Sequence, residues 1–202
     1  MNTKLSTQLS QLLIGGLVLY FLYIFITALS IVDRRHIGTE NGTYINSTMD
    51  NDPYIKRLVY DLTSNCQNNL CQVQNILDYV TNIPYKINPI NANSPQETIQ
   101  KNFGDCDDKS NLLISLLHAL KLESYFVLVP KHIFVIVALD DVHLNHFKKG
   151  LYLDGKKFYI LESTAKDSSI GFPFRYKISE ISDIIEPFDN RKVDVKRIEW
   201  RL

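Results

Sequence analysis

Charge of one sign is what this sequence most clearly lacks. Its 202 residues include 22 basic and 22 acidic side chains, so the formal net charge at pH 7 is zero. Proteins that bind nucleic acids usually carry a basic surplus, because much of their affinity comes from neutralising phosphates. The balance therefore gives no electrostatic support for a nucleic-acid partner, and we expect none.

Cysteine is also scarce, and the chain contains only Cys66, Cys71 and Cys106. Three cysteines are too few for a disulfide scaffold and do not match a cysteine-rich zinc site. Cys66 and Cys71 lie five positions apart in a polar stretch, a spacing compatible with a short disulfide loop or with two free buried thiols. If these two are bonded, Cys106 is the unpaired cysteine and a candidate reactive thiol.

Charged residues are missing altogether from positions 12–32, a run of 21 residues. A helix of that length spans about 31 Å, which is enough to cross the hydrocarbon core of a bilayer. We therefore expect a short tail at residues 1–11 and then a single membrane-spanning helix at 12–32. A cleaved signal peptide is the alternative, with Lys4 as its positive region and residues 28–30 as its cleavage site.

The flanks of this apolar run bear on which side of the membrane the rest of the chain lies. Lys4 on one flank and Arg34 and Arg35 on the other, partly offset by Asp33, nearly balance by the positive-inside rule, which slightly favours a cytoplasmic domain. A disulfide would favour an oxidising compartment, and Asn41 and Asn46 begin triplets that fit the glycosylation pattern. We expect an extracytoplasmic domain on a single-pass membrane protein.

The remaining chain predicts a polar juxtamembrane linker at 33–52 and one folded domain at 53–202. Apolar residues recur at helical spacing in several segments of the first half of that domain. These predicted helices begin near Pro53, Val73, Pro95 and Cys106. The helix that begins near Cys106 carries a dense leucine face, so we expect it to be buried at the centre of the domain.

The second half of the domain reads as strands. Apolar and β-branched runs predict strands at 125–129 and 132–138 and a hairpin at 151–161, whose turn is Asp154-Gly155. Residues 193–200 are expected to add an edge strand. Helices followed by an antiparallel sheet define an α+β fold.

Three polar side chains stand at the ends of these predicted elements. Cys106 begins the leucine-rich helix, where unpaired N–H groups lower the pKa of a thiol. The flanking Asp105 and Asp107 work against this effect, so a cationic partner such as histidine is needed. His132 begins one apolar strand and Glu162 ends another, where a buried carboxylate would hold the histidine ring through one of its N–H groups.

The runs FGDCDDKSNLLISLLHAL, FVLVPKHIFVIV and LYLDGKKFYILEST, in this order and spacing, resemble the transglutaminase-like superfamily of bacteria and archaea. The resemblance covers about residues 54–170 and implies a papain-like core with a Cys-His-acid triad. It implies Cys106 as nucleophile, His132 as base and Glu162 as the residue that orients the base, without a cofactor. The implied chemistry is a thioester formed from an amide or peptide bond of a protein or peptide substrate, and then opened by water or by an amine.

Three positions depart from the family pattern. Lys131 stands where glycine commonly precedes the histidine, and Glu162 stands where aspartate is most frequent. Asn93 occupies a place where glutamine is common, which weakens its assignment to an oxyanion site. The backbone N–H of Cys106 together with a nearby side chain or amide would then stabilise the oxyanion.

Other histidines have simpler interpretations. His118 lies on the leucine-rich helix and is expected to be structural. His143 and His146, with Asp140 and Asp141, could form a metal cluster, but residues 140–149 read more readily as a solvated loop, and we expect no metal. A non-catalytic scaffold that binds a protein partner at the membrane is the alternative function, although the complete Cys-His-acid set argues against it; the oligomeric state is unknown.

Overall fold

The computed structural model describes residues 3–32, 35–39, 42–46, 48, 51–88 and 92–202. The chain divides into two units, residues 1–35 and 36–202. In the first unit, helix α1 runs from Thr3 to Val32. Its apolar stretch Gln8–Thr27 is not buried and is long enough to cross a membrane, although a signal sequence meets the same description. The helix begins well before residue 12, because no proline or glycine interrupts the segment that was predicted as a tail.

The segment predicted as a polar linker is partly folded, so that prediction was wrong. Strands β1 (Arg35–Thr39) and β2 (Gly42–Asn46) pair with each other. Tyr44 is buried in the core, and its hydroxyl donates a hydrogen bond to Oδ1 of Asn111 at 2.7 Å. A single buried ring in a polar stretch produces no periodic pattern, so the burial of Tyr44 could not be predicted from the sequence. The side chains of Asn41 and Asn46, which begin the two glycosylation triplets, lie outside the described residues.

Four further helices occupy the first half of the larger unit. Their bounds are α2 Pro53–Thr63, α3 Asn69–Asn82, α4 Pro95–Lys101 and α5 Cys106–Ala119. Side-chain caps mark the first turns of α2 and α4: the Asp52 carboxylate accepts from the Tyr54 N–H at 2.9 Å, and Ser94 forms a capping box with Glu97. Local hydrogen bonds therefore set where these helices begin.

Cys66 and Cys71 form a disulfide in the connection between α2 and α3. Their Cα atoms are 5.5 Å apart, within the usual range for a bridge. The bond closes a short loop where α2 ends and α3 begins. Cys106 is the free cysteine of the chain.

The second half forms a seven-stranded sheet within the described residues, with the order β8-β7-β3-β4-β6-β5-β9 and antiparallel neighbours. The strands are β3 Ser124–Val129, β4 His132–Val137, β5 Gly150–Leu153, β6 Lys156–Leu161, β7 Asp183–Glu186, β8 Arg191–Lys192 and β9 Ile198–Arg201. The α+β fold is thus confirmed, as are the 151–161 hairpin and an edge strand at the carboxyl end. Asp154 and Gly155 both have positive φ, 49° and 92°, as a two-residue hairpin turn requires.

Two elements escaped prediction. Residues predicted as a solvated loop form the short helix α6 (Val142–Phe147), capped by Asp141 and carrying the buried Leu144. Strand β7 is only four residues long, which is too short to show an alternating pattern. It pairs with β3, with Val127 opposite Ile184.

Helix α5 is the centre of the domain. It contacts α2, α3 and α4 on one side and strands β3 and β4 on the other. Its leucines Leu112, Leu113, Leu116 and Leu117 are fully buried, as predicted. Because the helix packs directly on β4, its first turn lies close to the beginning of that strand.

Candidate active site

The helix side of the candidate site is built around the start of α5. Asp105 caps the helix, accepting from the Asp108 N–H, while Asp108 accepts from the Asp105 N–H in return. A Cβ on Gly104 would lie 2.7 Å from the Cβ of Asp108, so only glycine fits this approach. Cys106 is the first residue of the helix and is partly buried.

Asp108 also anchors the loop that precedes α4. Its fully buried carboxylate accepts from the backbone N–H of Asn93 at 2.5 Å and from Nδ2 of Asn93 at 2.9 Å. The Asn93 Oδ1 accepts from Nζ of Lys101 at 2.5 Å. These contacts give the Asn93 side chain a structural position between α4 and α5.

The sheet side of the site consists of His132 and Glu162. His132 is the first residue of β4, and Glu162 directly follows the last residue of β6. Val135 of β4 pairs with Leu161 of β6. This register makes His132 and Glu162 diagonal neighbours on one face of the sheet. Nε2 of His132 lies 2.8 Å from Oε2 of Glu162.

Thr164 completes the hydrogen bonding of the Glu162 carboxylate. Its backbone N–H and its hydroxyl both donate to Oε1, at 3.0 and 2.6 Å. Burial alone would raise the pKa of Glu162, but the hydrogen bond and charge of His132 and the two Thr164 donors lower it overall. Glu162 is therefore a carboxylate at neutral pH and accepts the Nε2–H of His132, so that the other ring nitrogen, Nδ1, is the one able to take a proton.

The two sides meet at Ile133. Its backbone N–H interacts with the thiol of Cys106 and acts to lower the pKa of that thiol. The hydroxyl of Ser110 donates to the Ile133 carbonyl at 3.4 Å and lies 3.2 Å from the hydroxyl of Ser163. The thiol thus lies beside the residue that follows His132, and polar contacts hold α5 to both strand ends.

The thiol of Cys106 has an unfavourable electrostatic environment. Burial and the charges of Asp107 and Asp105 raise its pKa to about 12, while the Ile133 N–H acts in the opposite direction. The sulfur also donates to Oδ1 of Asp107 at 3.5 Å. The acidic neighbours and burial outweigh the effect expected from the helix end, and the resting thiol is protonated at neutral pH.

Lys109 was missed by sequence reasoning. It lies within the leucine-rich helix and is almost fully buried, and its Nζ donates to the carbonyl of Ile83 at 2.8 Å and to that of Thr81 at 3.3 Å. Burial lowers the pKa of Lys109 to about 8, while the charge of Glu162 acts against this shift. The position of Lys109 within an otherwise apolar helix face was the sequence signal that could have indicated a buried lysine.

Three other histidines in the described part of the chain make local contacts away from this cluster. His118 stacks on Phe188 with ring centroids 3.6 Å apart. His146 bonds through Nδ1 to the carbonyl of Val142, and His143 packs against Phe147. Asp141 caps the helix that carries both of these histidines.

The match to a family model places this α+β protein among the thiol enzymes at the level of its family. The sequence pattern of the "Transglutaminase-like superfamily" matches residues 56–162, more than half of the chain. The chain belongs to this superfamily, and the matched segment includes Cys106, His132 and Glu162.

One solved structure is similar to this chain: that of "a Putative Cysteine Protease from Cytophaga hutchinsonii". It is 18% identical, with a TM-score of 0.44, over 73% of this chain. The chain spans 50% of the length of that protein. Among curated proteins, none matches this chain.

Proposed function

We propose that this protein is a thiol enzyme that attacks an amide or peptide bond and forms a thioester on Cys106. In this proposal His132 is the base and Glu162 orients it. One observation carries the proposal: at the start of β4, His132 lies 2.8 Å from Glu162, and the backbone N–H of the next residue, Ile133, acts on the thiol of Cys106. This supports a base and a nucleophile that come from elements 26 residues apart in sequence.

The first half of the reaction moves one proton and makes one bond. As the sulfur of Cys106 attacks the carbonyl carbon, its proton passes to Nδ1 of His132, and the carbonyl π electrons move to the oxygen. The backbone N–H of Cys106, in the first turn of α5, has no acceptor within the helix and would stabilise this oxyanion. When the tetrahedral species collapses, the C–N bond breaks, the amine takes the proton from His132, and the thioester remains.

In the second half, water or an amine loses a proton to His132 and attacks the thioester carbon. The C–S bond breaks, the proton returns to the sulfur, and an acid or a new amide leaves. No electrons are gained or lost by the protein. The raised pKa of Cys106 supports a mechanism in which the proton leaves the thiol during the attack, with His132 as general base.

The proposal includes a location and a substrate class. The exposed apolar stretch of α1 supports a single-pass anchor, and the Cys66–Cys71 disulfide supports an extracytoplasmic domain, because disulfides persist in oxidising compartments. Proteins or peptides at the membrane surface would be the substrates. Protease digestion of sealed vesicles tests the location: an extracytoplasmic domain is cut only when its own face of the membrane is accessible.

Iodoacetamide labelling of Cys106 tests the enzyme proposal directly, using the full chain in detergent without reductant. We expect His132→Ala to slow labelling by about a hundredfold or more, because general-base catalysis contributes on this scale. His143→Ala is the matched control, since that exposed histidine lies on α6, and its labelling rate should equal that of the wild type. Equal labelling of all three proteins would refute the proposal.

A second measurement separates the two outcomes of the thioester. The wild-type protein is incubated with peptide substrates and a fluorescent primary amine, with Cys106→Ser as the inactive control. Release of peptide fragments without incorporation of the amine identifies a hydrolase. Incorporation of the amine identifies an acyl transferase.

A further inference from the structure

A cleft of about 250 Å³ opens on the sheet side of the candidate site. His132 and Glu162 line one part of it, and aromatic residues line much of the rest. These aromatic residues are Phe134, Phe172, Phe174 and Tyr176. Pockets for drug-sized ligands have volumes of roughly 300–1,000 Å³, so this cleft has room for a single side chain.

The aromatic walls are held in place by packing with one another. Phe134 lies 6.2 Å from Phe174 and is stacked with Tyr176 at 6.4 Å between ring centroids. Phe174 also packs on Trp200 at 5.6 Å, and Tyr176 is stacked on His132 at 6.3 Å. The cleft is therefore preformed, and a side chain that enters it does not have to order the walls first.

The segment that supplies three of these rings lies beyond the family match. That match ends at residue 162, whereas Phe172, Phe174 and Tyr176 alternate along the chain after it. All three are partly buried and pack against the second hydrophobic cluster of the domain. The aromatic wall accordingly lies outside the segment that the family match covers.

The position of the cleft indicates which half of the substrate it would hold. His132 lines the cleft, whereas Cys106, also among the described residues, does not. In the proposed reaction the leaving amine takes its proton from His132, so the amine nitrogen must come within hydrogen-bond reach of that ring. A group in the cleft is then attached to the nitrogen side of the bond, while the acyl carbon bonds to the sulfur.

We infer that this cleft binds an aromatic or large aliphatic side chain on the amine side of the scissile bond; this inference rests on the function proposed above. In hydrolysis that side chain belongs to the residue after the bond, and in acyl transfer it belongs to the accepting amine. The oxygens of Glu162 already accept hydrogen bonds from His132 and Thr164, so this carboxylate is not left unpaired to attract a cationic side chain. The guanidinium of Arg175 lies 5.0 Å from the Phe172 ring, which disfavours a cationic side chain.

Binding is measured apart from catalysis in the full-length Cys106→Ala protein. Trp200 is the only tryptophan of the chain and touches Phe174, so its fluorescence reports occupancy of the cleft. We expect phenylalaninamide to change this fluorescence in a saturable way and to bind about tenfold more tightly than alaninamide, as expected for burial of an aromatic ring. Lysinamide should bind no better than alaninamide. Equal affinity for all three amides would overturn the inference.

Variants assign the preference to the cleft. Phe172→Ala and Phe174→Ala should each reduce the preference for phenylalaninamide over alaninamide to less than threefold. If Phe174→Ala does not fold, the result for Phe172→Ala alone is the test. Phe147→Ala is the matched control, because this exposed ring lies on α6, and it should keep the full preference. A preference that survives both cleft variants also overturns the inference.

Failure of the proposed function would look different. Cys106 would then be labelled at a rate that does not depend on His132, whatever the affinities for the three amides. The assignment of the cleft to the amine side of the bond would then be lost as well. If labelling depends on His132 but the amides bind equally, the enzyme proposal stands and only the cleft inference is lost. Dependence on His132 together with the aromatic preference supports both.

Discussion

His132 and Cys106 lie on two sides of one site, and their surroundings have opposite chemistry. On the sheet side, the ring of His132 is bonded to Glu162, whose second oxygen accepts two hydrogen bonds from Thr164. On the helix side, Cys106 is half buried next to Asp105 and Asp107, which raise its pKa. The proposed base is therefore oriented in the resting protein, whereas the proposed nucleophile is held as a thiol.

This difference suggests where the control of reactivity lies. Burial and the charges of Asp107 and Asp105 disfavour the thiolate of Cys106 in the resting protein. In the proposed reaction, proton transfer to His132 coincides with the attack on a carbonyl. The following changes separate the contributions of the two sides, from the largest expected effect to the smallest.

Glu162→Gln should have the largest effect, a loss of about a thousandfold or more in peptide turnover. Glutamine keeps the shape but removes the charge that stabilises protonated His132, and its NH₂ group would favour the wrong tautomer. The measurement is the initial rate of fragment release. Glu162→Asp is the matched control and should retain much more activity, because it preserves the charge. Near-wild-type turnover of Glu162→Gln would show that the sheet side does not orient the base.

Asp107→Asn should act in the opposite direction, on the helix side. Removing this charge lowers the pKa of Cys106 from about 12. Well below the pKa, the thiolate fraction rises tenfold for each unit that the pKa falls, so iodoacetamide labelling near neutral pH should accelerate by about tenfold. The rate is measured against pH on its rising limb. Asp61→Asn on the exposed face of α2 is the control; equal rates in the two variants would mean that Asp107 does not suppress the thiolate.

Thr164→Val should reduce turnover only several-fold, by loss of one hydrogen bond of about 1 kcal/mol. The pKa of Glu162, which is lowered in the folded protein, should rise. A depressed carboxyl pKa stabilises the fold above the unfolded pKa, and this contribution is lost as the pH falls through the folded pKa. The variant should therefore lose stability at a higher pH than the wild type in acid titrations. Thr164→Ser keeps the hydroxyl and should behave like the wild type.

Replacing both Cys66 and Cys71 by serine should leave the labelling rate of Cys106 unchanged. Loss of this short loop constraint should lower the free energy of unfolding by about 2 kcal/mol, which thermal denaturation measures. The disulfide lies in the connection between α2 and α3, whereas the two sides compared above belong to the start of α5 and to the ends of β4 and β6. A changed labelling rate would show that the helical hairpin is coupled to the site.

Local signals predicted much of the fold. Asp52-Pro53, Ser94 with Glu97, and the Asp154-Gly155 turn each depend on hydrogen bonds or backbone angles within a few residues. Such features are readable in one sequence because partner and signal are adjacent. Tyr44 and the short strand β7 were missed, since their partners lie far away along the chain.

The departures from the family pattern take on a physical meaning in the structure. Lys131, where glycine is common, has a φ of 60°, the left-handed conformation that glycine adopts without strain. Its side chain is exposed in the turn between β3 and β4, so the lysine meets no steric obstacle. Glu162, one methylene longer than aspartate, reaches His132 at an ordinary hydrogen-bond distance.

By itself, the sequence determined the order of helices α1–α5 and of strands β3–β6, the family, and the three residues Cys106, His132 and Glu162 as candidates. These follow from caps, turns, periodicity and motif spacing, which are all local. Only the tertiary structure decided that the thiol is held protonated, that Thr164 completes the carboxylate, and that a cleft opens beside His132. Burial and charge depend on which distant segments pack together, so no local pattern could specify them.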